Sequence, residues 1–324
     1  MNVCPLKNKI GFFAFFALWA SNDSIFAIDL TLKNEFINRY RNRATIDTSF
    51  IIDKAHKRPN PGAADGDLHV AGRATKEVGL PIVAEIMNAA SQKEAVAKIH
   101  AVEGTDQKTP LTGVWRLWSE HGGTEDQVQD QDHDLAAFNT TNPDHVFEIH
   151  PITNLDGRSL LASLHRIQNY QKPAKNTKAA FEKYESLQSR IEILKNQDAI
   201  KVTTSMAGYN YVEFRLRPLG APFALESNDG TAVFAEVHES DGELLVHKRR
   251  MIFIKNSAPE KALKSLKPNE DLHVLAVPRI SLDLIAWRRD NYDKDQKYSD
   301  ALDWGLPYEM VVVGHLGTIP YEEQ

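Results

Sequence analysis

Histidines, carboxylates and one arginine stand close together in three short segments of this 324-residue chain. The segments are Asp65-Gly-Asp-Leu-His-Val-Ala-Gly, Gly113-Val-Trp-Arg-Leu-Trp-Ser-Glu-His-Gly-Gly and Val146-Phe-Glu-Ile-His-Pro. Imidazole nitrogens and carboxylate oxygens ligate zinc and similar divalent ions, and water on such an ion can attack a phosphodiester. Read as strands, the segments sort by alternation. Leu68 and Val70 share one face, with His69 and Arg73 on the other. Trp115 and Leu117 point to a core, leaving Arg116, Trp118 and Glu120 outside. Phe147 and Ile149 point in, and Glu148 and His150 point out. His69, Arg116, Glu148 and His150 are therefore expected on one outer surface, with His121 at its rim, and Asp67 of the preceding turn completes the candidate site. His69, His121 and His150 are the expected metal set. No cofactor is established, and a divalent metal is the one these residues could hold. The spacing lacks the tight His-Glu-x-x-His pattern, so the same histidines could instead pin turns by hydrogen bonding.

Two charged regions add to the picture. The loop Glu120–Asp134 is acidic, and Asp130, Asp132 and Asp134 resemble the start of a calcium loop. Leu135 and Thr141 stand where that loop needs Gly and Glu, which points to a solvated acidic loop. Further on, Arg215, Arg217, Arg249 and Trp287, with Tyr209 and Tyr211 nearby, could bind an anionic chain by charge and stacking. The alternative is a paired exterior, with Glu236, Asp283 and Asp290 as partners. Gly-x-Ser-x-Gly, Walker and dinucleotide fingerprints are absent from the sequence.

The three segments between residues 65 and 154 resemble a set of uncharacterised bacterial proteins that share DGD-[I/L]-H, a strand ending in His-Gly and a closing E-[I/L]-H-P. That resemblance marks a unit without implying a reaction. The DGD turn is also similar to staphylococcal-nuclease-type OB domains, in which an aspartate at that turn binds metal. The likeness implies an OB barrel. It departs where that family's next strand carries a catalytic arginine, since Leu80–Met87 offers only Glu85.

The elements that must position these residues follow from hydrophobic pattern. Strands are expected at Ser49–Lys54, Asp67–Thr75, Leu80–Met87, Thr112–Ser119 and Val146–Asn154, with a helix at Ser91–Ala101. The order recurs at Tyr211–Arg217, Thr231–Glu239, Leu244–Lys255, Leu272–Trp287 (bent at Pro278) and Tyr308–His315, with a helix at Pro259–Leu266. Strand-strand-strand-helix-strand-strand is OB order. The expected fold is mainly β with helices (α+β): two OB-like five-stranded barrels at 28–157 and 200–324, joined by a helical segment at 158–199. In that segment Leu161, Leu164 and Ile167 make one helical stripe. Phe181, Tyr184, Leu187, Ile191 and Leu194 make a second, long enough to pack on a barrel or to pair two chains as a homodimer.

Lys7 and Lys9, the apolar run Ile10–Ala20 and small residues at Ala20 and Ala27 make a secretory signal pattern over residues 1–27. Its removal at either alanine takes away the single cysteine, Cys4, and leaves no thiol for catalysis, metal binding or disulfides. The run is too short to span a bilayer. Net charge is -6 and pI about 6.1, so nucleic acid is not favoured as a partner. The reading is an exported periplasmic or secreted protein that binds an unknown ligand or envelope protein. The alternative is a metal-dependent, nuclease-like phosphodiesterase around Asp67, His69, His121 and His150.

Overall fold

The computed structural model describes residues 28–74, 77–128, 135–171, 176–291 and 301–321, with backbone alone at 123–128 and 301–303. The expected signal segment and Asp130–Asp134 lie outside the described residues. The first half runs β1 (Ile28–Lys33), α1 (Asn34–Tyr40), β2 (Thr45–Ala55), β3 (Leu68–Arg73), β4 (Ile82–Ile86), α2 (Lys93–Val102), β5 (Lys108–Leu117), β6 (Gly123–Val128), β7 (Phe147–Leu155) and β8 (Arg158–Ser159). The second continues with α3 (Thr177–Ser186), β9 (Gln188–Leu194), β10 (Ala199–Thr204), β11 (Val212–Pro218), β12 (Phe223–Ala224) and β13 (Gly230–His238). It ends with β14 (Leu244–Ile254), α4 (Ala258–Ser265), β15 (Glu270–Ile280), α5 (Leu282–Asp290), β16 (Ala301–Gly305) and β17 (Tyr308–Pro320).

Strands β2, β3, β4, β7 and β5 close a five-strand barrel. All its pairs are antiparallel except β4 with β7. Alternation builds the interior: Ile46, Phe50, Leu68, Val70, Ile82, Ala84, Trp115, Leu117, Phe147 and Ile149 belong to one apolar core, and α2 adds Ala95, Ile99 and Val102. β5 must run close against β7 at Gly113, where a Cβ would stand 2.3 Å from an Ile149 methyl and 2.8 Å from the Pro151 carbonyl oxygen.

The same cycle of pairings recurs downstream. β11 pairs β13 and β15, β13 pairs β14, and β15 pairs β17, all antiparallel, while β14 pairs β17 in parallel. α4 sits between the third and fourth strands, as α2 does in the first unit. Its start is fixed by Ser257, whose side chain accepts from the Glu260 N–H, with Pro259 in the first turn.

Two expectations are corrected. Residues 158–199 are not a helical bridge: Leu161–Ser163 is a single 3-10 turn, α3 stops at Ser186, and Ile191 lies on β9. The four-residue step from Leu187 to Ile191 fits a strand's period of two as well as a helix's 3.6. β9 and β10 instead enter a third sheet of order β16-β9-β10-β1-β6. β6 brings into it a part of the acidic segment that was expected to be loop. The apolar face of α3 is covered within the chain, with Phe181 on Phe214 and Tyr184 on Trp118 and Tyr308. The strand expected to bend at Pro278 ends at Ile280. Ser281 then caps α5, so Trp287 is a helical residue.

Candidate functional site

Asp67, His69, Arg116, Glu148 and His150 do converge, but on a buried face rather than an outer surface. Arg116 and His150 are fully buried, and Glu148 is 2% exposed. The second unit covers this side of the barrel. Arg116 Nε donates to the Pro278 carbonyl at 3.0 Å, the Trp118 indole donates to the Gly208 carbonyl, and His150 Nε2 lies 2.6 Å from the Tyr211 hydroxyl. Strand alternation separates the two faces correctly, but it carries no information about what packs on the outward one.

Two clusters share this face. In the first, the Tyr211 hydroxyl donates to Asp67 Oδ2 at 2.7 Å. His150 Nε2 stands 3.2 Å from that oxygen and 3.5 Å from Glu85 Oε2. His69 Nε2 lies 3.6 Å from the same Glu85 oxygen, stacks on His56, and faces Asp65 at 3.9 Å. Ligand atoms of Asp67, Glu85 and His150 all lie within 4.8 Å of one another. In the second cluster His145 Nε2 is 3.2 Å and His121 Nε2 3.7 Å from Glu148 Oε1, with the two imidazoles stacked. The other Glu148 oxygen accepts from Arg116 and faces His150 Nδ1 at 3.4 Å, and so bridges the clusters. Arg116 also reaches Glu120 at 3.0 Å. His69, His121 and His150 therefore do not form one ligand set: His69 and His150 meet at Glu85, and His121 and His150 at Glu148.

Burial alone would discharge His69 and His150. Glu85 and Asp65 outweigh it at His69, raised to about 9, and Glu85, Asp67 and Glu148 hold His150 well above the imidazole range. Burial lifts Glu85 to about 7 against the pull of both histidines. Glu148 is as deeply buried, yet Arg116 and the His145 and His150 contacts keep it well below the carboxylate range. The face is thus a dense, mutually compensating set of charges.

The second unit provides an internal comparison. Arg116 pairs across the β5–β7 ladder with Glu148, and Arg279 pairs across β15–β17 with Glu309. Both arginines are fully buried, and each reaches into the other unit: Arg116 to the Pro278 carbonyl, Arg279 to the Trp115 carbonyl at 3.2 Å. With these pairs superposed, the ladders equate His150 with Val311, Glu85 with Ile252, His69 with Ala232 and Asp67 with Gly230. The arginine–glutamate joint is common to both units. The other four ionisable positions are apolar or glycine in the second.

Arg215, Arg217 and Arg249, named for an anion groove, are each paired with a carboxylate. Arg215 and Arg217 both pair with Asp271, at 2.8 and 2.9 Å, and Arg217 stacks on Tyr321. Arg249 pairs with Glu185 and stacks on Tyr308. Trp287 is exposed on α5 beside Trp304. Glu85, His145 and Tyr211 belong to the site without having been among its candidates. The alternation of β4 places Glu85 opposite His69, a signal the sequence does hold. Tyr211 comes from another unit and has no such signal.

Two surface cavities occupy equivalent places. One, about 610 Å³, lies between the β2–β3 loop and α2, with Pro59, Asn60, Pro61, Ala90, Lys93 and Val96 in its lining. The other, about 410 Å³, lies between the β12–β13 turn and α4, with Pro222, Ala224, Lys255, Leu263 and Lys264. Asn60 also contacts His69 Nε2 at 3.4 Å, so it touches both the larger cavity and the buried cluster. No helix among the described residues is long and apolar enough to cross a membrane. No protein-family model and no curated protein matches this chain in sequence.

Proposed function

We propose that this chain is an exported binding protein of the bacterial periplasm or exterior, built from two OB-like barrels. The single observation that carries the reading is the cavity of about 610 Å³ between the β2–β3 loop and α2. In an OB barrel that loop joins the first two strands and is one of the two that bind ligands. The cavity has the size and apolar lining of a small-molecule site, and Lys93 at its edge favours an anionic group. Its ligand is a small, largely apolar anion. The test uses 1-anilinonaphthalene-8-sulfonate as the probe. Saturable fluorescence enhancement is expected with the wild-type chain and its loss in Ala97→Trp, which fills the cavity from an exposed position. Equal enhancement in both, or none in either, contradicts the reading.

The convergence of Asp67, Glu85 and His150 favours a second reading, a metal-dependent phosphodiesterase. Substrate would then have to pass Asn60 and His69, because these three side chains are at most 1% exposed. Manganese- or zinc-dependent hydrolysis of bis(p-nitrophenyl) phosphate, abolished by Asp67→Asn, would establish it. A chain that carries the metal and leaves the ester intact would exclude it.

A further inference from the structure

We infer that Asp67, Glu85 and His150 form a binding site for one divalent cation of the zinc or manganese class. The inference rests on neither functional reading. Four observations converge on it. His150 Nε2 lies 3.2 Å from Asp67 Oδ2 and 3.5 Å from Glu85 Oε2, separations that a single ion with bonds of about 2.0–2.2 Å can bridge. Asp67 Oδ1 has no hydrogen-bond partner although Asp67 is fully buried, and Glu85 Oε2, 1% exposed, has only the ion pairs with His69 and His150 at 3.6 and 3.5 Å. Buried polar atoms in that state are rare, and an ion is one of the few groups that satisfy them. His150 presents Nε2 to Asp67 and Glu85, with the Tyr211 hydroxyl that an ion would displace 2.6 Å away, while its Nδ1 faces Glu148 Oε2 at 3.4 Å. A carboxylate behind the far nitrogen of a ligating histidine sets its tautomer and orients the ring, and Arg116 holds that carboxylate in place.

The fourth observation is the second unit. There the same strand positions carry Gly230, Ile252 and Val311, and the same cycle of pairings is made without them. The strands therefore do not need ionisable groups at these places. Burying them costs free energy that their own pairing offsets in part, and a bound cation offsets more of it in the first unit alone. Two carboxylates and one imidazole, with no thiol, suit zinc or manganese rather than a soft ion. Asp67 also accepts from Tyr211 of the second unit, so an ion held here fastens the two units together.

The full chain, stripped with a chelator, is reloaded with zinc or manganese. Metal content is then measured, and the zinc form is examined by X-ray absorption. One ion per chain is expected, with a single imidazole and otherwise oxygen ligands. Asp67→Asn and Glu85→Gln should each weaken binding by more than about 100-fold, beyond what loss of an outer-sphere partner costs. His121→Ala should retain the ion. Absence of stoichiometric uptake of either metal would overturn the inference. So would two imidazoles in the zinc spectrum, which would move the ion to His121, His145 and Glu148. The absorption measurement uses the unaltered chain, so a variant that fails to fold leaves the outcome decided.

Discussion

At the scale of single residues, the joint between the units depends on two arginines placed alike. Arg279 pairs with Glu309 at 2.7 Å, lies over the Trp115 ring, and donates to the carbonyls of Arg43, Ala44 and Trp115. A lysine offers a point charge and cannot span those acceptors. Arg279→Met should destabilise the chain by about 3 kcal/mol, because Glu309 would remain buried with only part of its compensation. Arg279→Lys should recover less than half of that in urea unfolding, and full recovery would argue that charge alone matters. Much of the site was legible at this scale. His69, Arg116, Glu148 and His150 could be named from strand alternation and Asp67 from the turn before β3, and they do share one face. Their partners could not all be named, since Tyr211 reaches them across a sequence separation of 144 residues from Asp67.

Among the elements, the close approach of β5 to β7 and the start of α4 give sharp expectations. Gly113→Ala should cost about 1–3 kcal/mol, since its Cβ would collide with Ile149 and the Pro151 carbonyl on either side of His150. Wild-type stability in that variant would mean that β5 can shift without penalty. At α4, burial alone would raise the Glu260 carboxyl, but Lys264 at 2.7 Å, the Thr231 hydroxyl and the Asn256 N–H hold it below its ordinary value. A lowered folded value means that the stabilisation is present above pH 4.5 and fades as the pH falls through the folded value. Glu260→Gln should therefore cost about 1 kcal/mol at pH 7, and the gap from wild type should close in acid. A gap that stayed constant down to pH 3 would contradict this origin. Barrel strands and their helices could be read because period-two and period-3.6 patterns run uninterrupted there. Between Leu187 and Ile191 both periods fit the same apolar spacing, and only the pairing of β9 with β10 and β16 decides.

For the molecule as a whole, the third sheet was beyond sequence reasoning. It gathers strands from residues 28–33, 123–128, 188–204 and 301–305, and no local pattern reports such distant pairing. α1, α3 and α5 also lie outside the pattern that the two units share. The repetition itself had a trace in sequence, Phe147-Glu-Ile beside Tyr308-Glu-Met, and strand register makes it specific. It separates what the architecture requires from what the first unit adds. The architecture requires Arg116–Glu148 and Arg279–Glu309; the addition is Asp67, His69, Glu85 and His150. The direct test of that separation gives the first unit the residues of the second: Asp67→Gly, His69→Ala, Glu85→Ile and His150→Val, with Tyr211→Phe so that no hydroxyl is left unpaired. Thermal unfolding of this five-fold variant should be cooperative, with a midpoint at or above that of the metal-free wild type, and the variant should bind no zinc. A variant that fails to fold, or melts well below the metal-free wild type, would make the charged cluster part of the fold itself and contradict the account.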